Sequence, residues 1–288
     1  MDWINSIIQG ILVGGLYALF AAGLSLIFGV MRLVNIAHGD LIILAAFLGL
    51  TISSTLNLQP FVSLLLVVPL MGVFGYVLQR GILNQTLGND ILPPLLVTFG
   101  LSVIIQNGLL ELYTADPQKM NAGSIETASL SLPGGISIGW FPLLMFIVSI
   151  LIIGFLQFIF YKTALGRAFR ATSDNQEVVQ LMGISKNHIF GLSMALSMVV
   201  VAISGIFLGV RTSFDPASGP SRLIFGFEAV IIGGLGNLWG TLIGGIILGV
   251  SQNIAAKINP GWQILAGHIT FLVILAIRPK GLFHRIDD

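Results

Sequence analysis

Long apolar runs almost free of charge dominate this chain and limit what it can fold into. The first of them, Ile7–Met31, contains no charged side chain, and a helix of about 20 apolar residues crosses the hydrocarbon core of a bilayer. Charged residues make up only 9% of the 288 residues, whereas a soluble globular chain has about 25%. The sequence therefore predicts an all-α fold, a polytopic transmembrane helical bundle.

About eight apolar segments can be delimited, and polar stretches separate them. Trp140 and Tyr161 bracket the fifth segment as interfacial aromatic residues do. We expect a single transmembrane domain over residues 1–288, with one or two broken helices. Asp2 is the only charged side chain before Arg32, so an external N-terminus is expected. The other segments are Leu41–Leu56, Phe61–Gln79, Ile91–Tyr113, Ile189–Val210, Gly226–Val250 and Trp262–Ile277.

Lys162–His188 is the longest cation-rich polar stretch of the chain, and it lies between two apolar segments. It carries four of the 13 Lys and Arg residues, and short loops rich in these residues stay on the cytoplasmic side of a membrane. Apolar residues around Glu177 predict a short amphipathic helix, with Asp174 or Asn175 as its cap and Gly183 at its end. The segment is either an ordinary connecting loop or a surface to which another protein binds.

Two interruptions, Asn35–Asp40 and Gly233–Gly240, break the apolar pattern. The basic central loop and the basic tail should lie on the same side of the membrane. An even number of crossings must therefore separate them, but only three apolar segments lie between them. A break of Gly226–Val250 near Gly236 and Asn237 restores an even number. Paired breaks in two halves of a transporter point to its pathway; alternatively, these residues only permit tight packing.

Three motifs in order carry a resemblance to a known family. GGLYALFAAGLSLIFGVMRLVNIAHGDLIILAAF, GRAFRATSDNQEVVQLMGI and GFEAVIIGGLGNLWGTLIGGIILG resemble the permeases of branched-chain amino-acid ABC importers, in particular the shorter of the two Liv-type permeases. Glu177 and Gly183 match the EAA-x-x-x-G loop of ABC importer permeases, with Val178 and Val179 in place of its alanines. In that family the loop is the coupling helix, which docks on the ATPase.

The resemblance implies a permease subunit in the bacterial inner membrane that imports branched-chain or other small amino acids by alternating access. It implies two ABC ATPase subunits, a second homologous permease and a soluble substrate-binding protein as partners. Relatives that import urea, short amides or other small metabolites remain an alternative. The ATPase-coupling candidates are Gly166, Arg167, Arg170, Asp174, Asn175, Glu177 and Gly183.

Polar residues near the two interruptions are the candidates for the pathway. Charged side chains within spans are costly and mark substrate or ion routes. His38 either ligates a metal or relays protons or, as we expect, is a structural imidazole that hydrogen-bonds a broken helix end. Arg32 and Asp40 flank the first interruption, where they either lie at the interface or pair with each other. The pathway candidates are Asn35, His38, Asp40, Glu228 and Asn237.

Several other functions are disfavoured by what the sequence lacks. It contains no cysteine, and no cluster of histidines or acids predicts a catalytic or metal site. No lysine follows a glycine, so the phosphate-binding loop of ATPases is absent; we expect no enzyme activity and no cofactor in this chain, with ATP and Mg used by partner subunits. An ion-driven transporter would need buried charges deep in its spans. The net charge of +1 gives no reason to expect nucleic-acid binding.

Overall fold

The computed structural model describes residues 2–88, 90–132 and 136–283, and helices account for most of them. Asn89, the loop at 133–135 and the tail residues 284–288 lie outside the described residues. The described part contains α1 (Asp2–Met31), α2 (His38–Leu56), α3 (Pro60–Gly81), α4 (Leu92–Tyr113), α5 (Trp140–Lys162), α6 (Ala164–Asp174), α7 (Gln176–Leu181), α8 (Lys186–Arg211), α9 (Gly219–Gly233), α10 (Leu238–Ile258) and α11 (Gln263–Ile277). Strands β1 (Ser129–Leu132) and β2 (Ile136–Gly139) pair as an antiparallel hairpin. The predicted all-α class is confirmed.

Eight of these helices are long and apolar enough to cross a membrane. They are α1 to α5, α8, α10 and α11, in agreement with the predicted segments. The peripheral helices turn large apolar side chains outward, with Leu65 of α3 76% exposed and Ile104 of α4 70% exposed. Such surfaces fit a hydrocarbon solvent, and the bundle is a multi-pass membrane protein.

The predicted break in the seventh apolar segment is present. α9 ends at Gly233, and α10 begins at Leu238 after a turn in which Gly234 and Gly236 have positive φ. The helix before the break is longer than the roughly 11 residues between Gly226 and Gly236, because it begins at Gly219, ahead of the apolar segment. Pro220 explains this start, since its fixed φ suits the first turn of a helix. With α9 included, four helices separate the central basic segment from the tail, which satisfies the even number required.

The bundle has two ends that its hydrogen bonds define. At the basic end, which carries α6 and α7, Ser173 of α6 donates to the Gly29 carbonyl near the end of α1 at 2.7 Å. At the hairpin end, Gln9 near the start of α1 donates to the Ser137 carbonyl at 2.8 Å. α1 therefore runs from the hairpin end to the basic end. α8 runs in the opposite direction, because it begins next to α7.

α1 and α8 form the centre, and their packing repeats with inverted direction. α1 packs on α8, α9 and α10, whereas α8 packs on α1, α2 and α3. This arrangement relates α1–α4 to α8–α11, with α5 to α7 between the two halves. In this relation the break at 32–37 corresponds to the connection at 212–218. The expected equivalence of the two interruptions is therefore wrong: the turn at 234–237 corresponds to the connection at 57–59.

Glycines let α1 and α10 approach each other at backbone distance. A Cβ atom on Gly14 would lie 2.6 Å from Cα of Ile246, and one on Gly10 would lie 2.6 Å from Cα of Val250. Gly245 and Gly249 of α10 face the same crossing. Small residues of this kind are how membrane helices gain packing contacts without a hydrophobic driving force between them.

We expect Gly14→Ala to destabilise the protein, because its methyl group would collide with the α10 backbone. Forcing extra methyl groups into a packed site costs about 1–3 kcal/mol. Gly154→Ala in α5 is the matched control, since a Cβ there meets nothing within 4 Å, and alanine raises helix propensity. Thermal unfolding in detergent should give a lower melting temperature for G14A and an unchanged or higher one for G154A. Equal melting temperatures would contradict the packing described above.

Candidate functional site

Local capping determines the shape of the central basic segment. The Thr163 hydroxyl accepts from the Gly166 amide at 3.1 Å and starts α6. The Asn175 side chain accepts from the amides of Glu177 at 3.0 Å and Val178 at 3.1 Å and starts α7. Of the two predicted caps, Asn175 is therefore the one used, and Asp174 ends α6. Gly183 follows α7 with φ +81°, as predicted for a glycine that closes a helix.

One face of α6 is fixed to the helices of the bundle. Gly166 is buried, and a Cβ there would collide with the carbonyl of Phe160 at the end of α5. Phe169 is also buried, and its ring lies 5.4 Å from that of Phe160. The Arg170 guanidinium donates to the Phe160 carbonyl and lies over the Tyr161 ring. Gly166 and Arg170 thus contact the bundle itself, which the sequence did not reveal.

α7 presents an apolar surface away from the bundle. Val179 alone of its valines is buried, whereas Leu181 is 88% exposed and Met182 is 72% exposed. Val178, Arg167 and Glu177 are exposed as well. The predicted amphipathic helix is present, but most of its apolar side chains point outward. Exposed apolar groups outside the spans are typical of a protein-binding site.

The first interruption is buried in the middle of the bundle. The Asn35 side chain accepts from the Ala37 amide at 3.0 Å, and His38 Nε2 donates to the Phe20 carbonyl of α1 at 3.0 Å. Gln106 of α4 donates to Asp40 Oδ1 at 2.9 Å. Arg32 is exposed, so the alternative that Arg32 and Asp40 pair with each other is wrong. The His38 imidazole therefore bonds to the middle of the continuous helix α1 and not to a broken helix end as expected.

Three polar atoms at this interruption are buried without a hydrogen-bond partner among the described residues. They are Asn35 Nδ2, His38 Nδ1 and Asp40 Oδ2. A buried polar atom without a partner costs about 1–3 kcal/mol, and such atoms in a native structure need an explanation, often a functional one. The interruption is therefore a candidate site.

A second polar cluster lies toward the hairpin end, between α1, α9, α10 and α11. Glu228, which is buried, is hydrogen-bonded to His268. The Tyr17 hydroxyl donates to Gln252 Oε1 at 2.6 Å. The Phe225 ring lies 5.2 Å from the ring of Tyr17 and 6.4 Å from that of His268. Of these residues, the sequence had indicated only Glu228.

Unpartnered groups also mark this cluster. Glu228 Oε2 and Gln252 Nε2 have no hydrogen-bond partner within the described ranges. Each polar residue of this cluster stands singly in an apolar segment, and this is the sequence signal that could have identified it. Their four helices are far apart in sequence, so no spacing connects them.

Asn237 has a structural role at the second interruption. Its Oδ1 accepts from the Gly240 amide at 2.9 Å and caps α10, and its Nδ2 donates to the Phe283 carbonyl at 2.9 Å. Residues 282 and 283 in turn donate to the carbonyls of Ile232 and Gly233. The tail thus closes the end of α9. Within the described residues no group of three or more His, Cys, Asp or Glu side chains could hold a metal ion.

Residues 6–277 match the family model described as the permease component of the branched-chain amino acid transport system. The chain belongs to this permease family. The permease is 25% identical to the high-affinity branched-chain amino acid permease BraD of Pseudomonas aeruginosa, over 98% of this chain and 96% of BraD. It is 27% identical to a probable branched-chain amino acid permease, LivH, of Methanocaldococcus jannaschii, over 96% and 91% of the two chains.

Another relative is named as a permease for a sugar. The ribose import permease RbsC of Haemophilus influenzae is 27% identical over 81% of this chain and 76% of RbsC. No solved structure shows significant similarity to this permease.

We expect Asn175→Ala to loosen α7, because the amides of Glu177 and Val178 lose their acceptor. Loss of a helix cap of this type costs about 1 kcal/mol. Hydrogen exchange at these two amides should accelerate in N175A and stay near the original rate in Asn175→Ser, which retains a capping oxygen. Unchanged exchange in N175A would mean that the cap does not hold α7.

Proposed function

We propose that this permease is a translocation subunit of an ATP-driven ABC importer for branched-chain or other small amino acids. The observation that carries the proposal is the match to branched-chain amino acid permeases over nearly the whole chain. The match covers the central segment, both interruptions and the buried polar clusters, and is thus not confined to the spans.

The charge distribution supports a cytoplasmic basic end in the bacterial inner membrane. Lys162, Arg167, Lys186 and the exposed Arg32 lie at this end, together with residues 282 and 283. Positive residues in short loops are retained in the cytoplasm. The hairpin end, and with it the start of α1, is then external, as expected from the lack of basic residues before Arg32. A soluble substrate-binding protein would dock on this external end.

The outward surface of α7 supports docking of an ATPase. Leu181 and Met182 lie outside the spans and are exposed on the side of α7 that faces away from the bundle. The chain has no phosphate-binding loop, so ATP and Mg would be used by two partner ATPase subunits and no catalytic role falls to this chain. Among the predicted coupling residues, Glu177, Asn175 and Gly183 shape α7, and Arg167 is free to meet acids of the partner.

The buried polar clusters support a pathway within the centre of the bundle. Asn35, His38 and Asp40 lie where α2 begins, and Glu228 lies in α9, the helix related to α2 by the inverted repeat. Substrate sites of transporters lie near broken helices at such repeat interfaces. In the proposed alternating-access cycle, a second homologous permease completes the pathway, and motion of the ATPases opens it to each side in turn.

Two alternatives have a specific basis. The similarity to a ribose import permease means that the same family framework serves other small solutes, and urea or short amides belong to this class. The buried Glu228, which is hydrogen-bonded to His268, is an acidic group of the kind that an ion-driven transporter would need. The exposed apolar surface of α7 favours the ATP-driven importer over the ion-driven alternative.

Co-purification of the tagged permease from its native membrane tests the assembly and the substrate. We expect two ATPase subunits and a second permease, together with a binding protein that binds leucine in preference to urea, acetamide and ribose. If the binding protein of the complex prefers urea, acetamide or ribose, the assembly proposal stands and only the proposed substrate changes. A permease that purifies alone, with uptake abolished by an ionophore and indifferent to ATP depletion, would overturn the importer.

We expect Leu181→Asp to abolish co-purification of the ATPase, because a charge replaces an apolar side chain in the docking surface. A charge buried without a partner in an apolar interface is costly, so we expect at least about a tenfold loss of affinity, which corresponds to about 1.4 kcal/mol. The thermal stability of the permease alone should not change, since Leu181 is 88% exposed.

Gln180→Asp is the matched control, because it introduces the same charge at the neighbouring exposed position of α7. Its ATPase should co-purify at nearly the original level. Equal retention of the ATPase by L181D and Q180D would exclude the α7 surface as the docking site.

A further inference from the structure

A cavity of about 470 Å³ lies at the basic end of the bundle, apart from the two polar clusters. It is enclosed by the last turns of α1 and α5, the second half of α6 and the turn between α9 and α10. Its lining includes Ser25, Arg32, Gln157, Tyr161, Arg170 and Trp239. This volume falls within the range of sites for small molecules. Nothing described above uses the cavity.

Three polar side chains that line the cavity can donate hydrogen bonds and have no partner among the described residues. The Ser25 hydroxyl is buried and has none within the described residues, and the side chains of Arg32 and Gln157 likewise make no hydrogen bond or ion pair in the described part of the chain. Arg170 is held beside them by Phe160 and Tyr161. Of the described lining residues only Asp174 is acidic, and it is exposed at the rim. The cavity therefore suits an anion.

The backbone of Arg32 gives an independent reason to assign it a role. Arg32 follows the end of α1 with φ +53°, a conformation that is costly for residues other than glycine and typical of glycine at a helix end. Strained residues of this kind are found at functional sites. An arginine in this position places a guanidinium at the mouth of the cavity, which a glycine would not do.

Aromatic and apolar side chains connect the cavity with the lipid-facing surface. Tyr161 is 50% exposed and Trp239 is 43% exposed, and such aromatic residues lie at the level of lipid headgroups. On α5, Phe158 and Phe155 continue from Tyr161 along the outward face into the span, and both are exposed. An acyl chain against this face would place its headgroup at the cavity.

We propose that this cavity binds the phosphate group of an anionic phospholipid, with Arg32, Gln157 and Ser25 as the donors. Basic pockets between transmembrane helices on the cytoplasmic side are suited to such headgroups. Because α6 contributes Arg170 and Ser173 to the wall, the bound headgroup would stabilise the contact of α6 with the ends of α1 and α5. This site does not depend on which solute the permease carries.

Lipid titrations of the detergent-purified full chain test the proposal by native mass spectrometry and thermal unfolding. We expect phosphatidylglycerol, but not phosphatidylcholine, to bind and to raise the melting temperature. Arg32→Gly should weaken phosphatidylglycerol binding at least about fivefold, the contribution of one cation near a lipid surface. Without lipid, R32G should be as stable as the original chain or more so, because glycine relieves the positive φ.

Three further variants make the result specific. Arg32→Lys keeps the charge and should retain most of the binding, and Arg278→Gln removes a cation at the same end outside the cavity and should bind normally. Ser25→Ala should weaken phosphatidylglycerol binding without altering the charge of the cavity. This variant serves as the test if R32G does not fold. Equal binding by R32G or S25A and the original chain would overturn the site. If glycerol phosphate stabilised the permease equally, the ligand would be a soluble anion, and the proposal of a lipid ligand would be overturned.

Discussion

The crossing of α1 with α10 is the contact on which the rest of this bundle depends. In the bilayer core no water can satisfy the backbone, so every span is a helix, and helices gain stability mainly from close packing. Glycines on both partners bring the two backbones together. The same α1 also packs on α8 and α9, so its position determines where the two buried polar clusters lie. α8 has the equivalent place in the inverted half, with α2 and α3 as its neighbours.

Features that depend on local chemistry were predictable from the sequence. The spans follow from apolar runs of sufficient length, and the turn at 234–237 follows from its glycines together with the requirement for an even number of crossings. The Asn175 cap and the glycine at 183 have local signals because each acts on amides or carbonyls a few residues away. The start of α9 at Gly219 was missed because the apolar segment begins only at Gly226, although Pro220 suits the first turn of a helix.

Features that depend on tertiary packing were not predictable. Tyr17, Gln252 and His268 come from three helices, and only the inverted packing of the two halves brings them near Glu228. The direction of Leu181 could not be inferred either, since a helical pattern shows that α7 has an apolar face but not whether the bundle covers it. Asn237 was assigned to the pathway from its place in the break, whereas its hydrogen bonds to Gly240 and Phe283 make it a helix cap.

In the proposed importer, the contacts of α6 supply the route from ATPase to pathway. α7 meets the ATPase, and α6 is joined to it through Asn175, so the two short helices move together. The Ser173 hydroxyl holds the end of α1 through Gly29, and Arg170 holds the end of α5. Because the Phe20 carbonyl of α1 accepts from His38, a displacement of α1 would reach the buried group of Asn35, His38 and Asp40 directly. An anionic headgroup in the cavity beside α6 would stiffen this connection at its first step, and membrane composition would then affect how completely ATPase motion is transmitted.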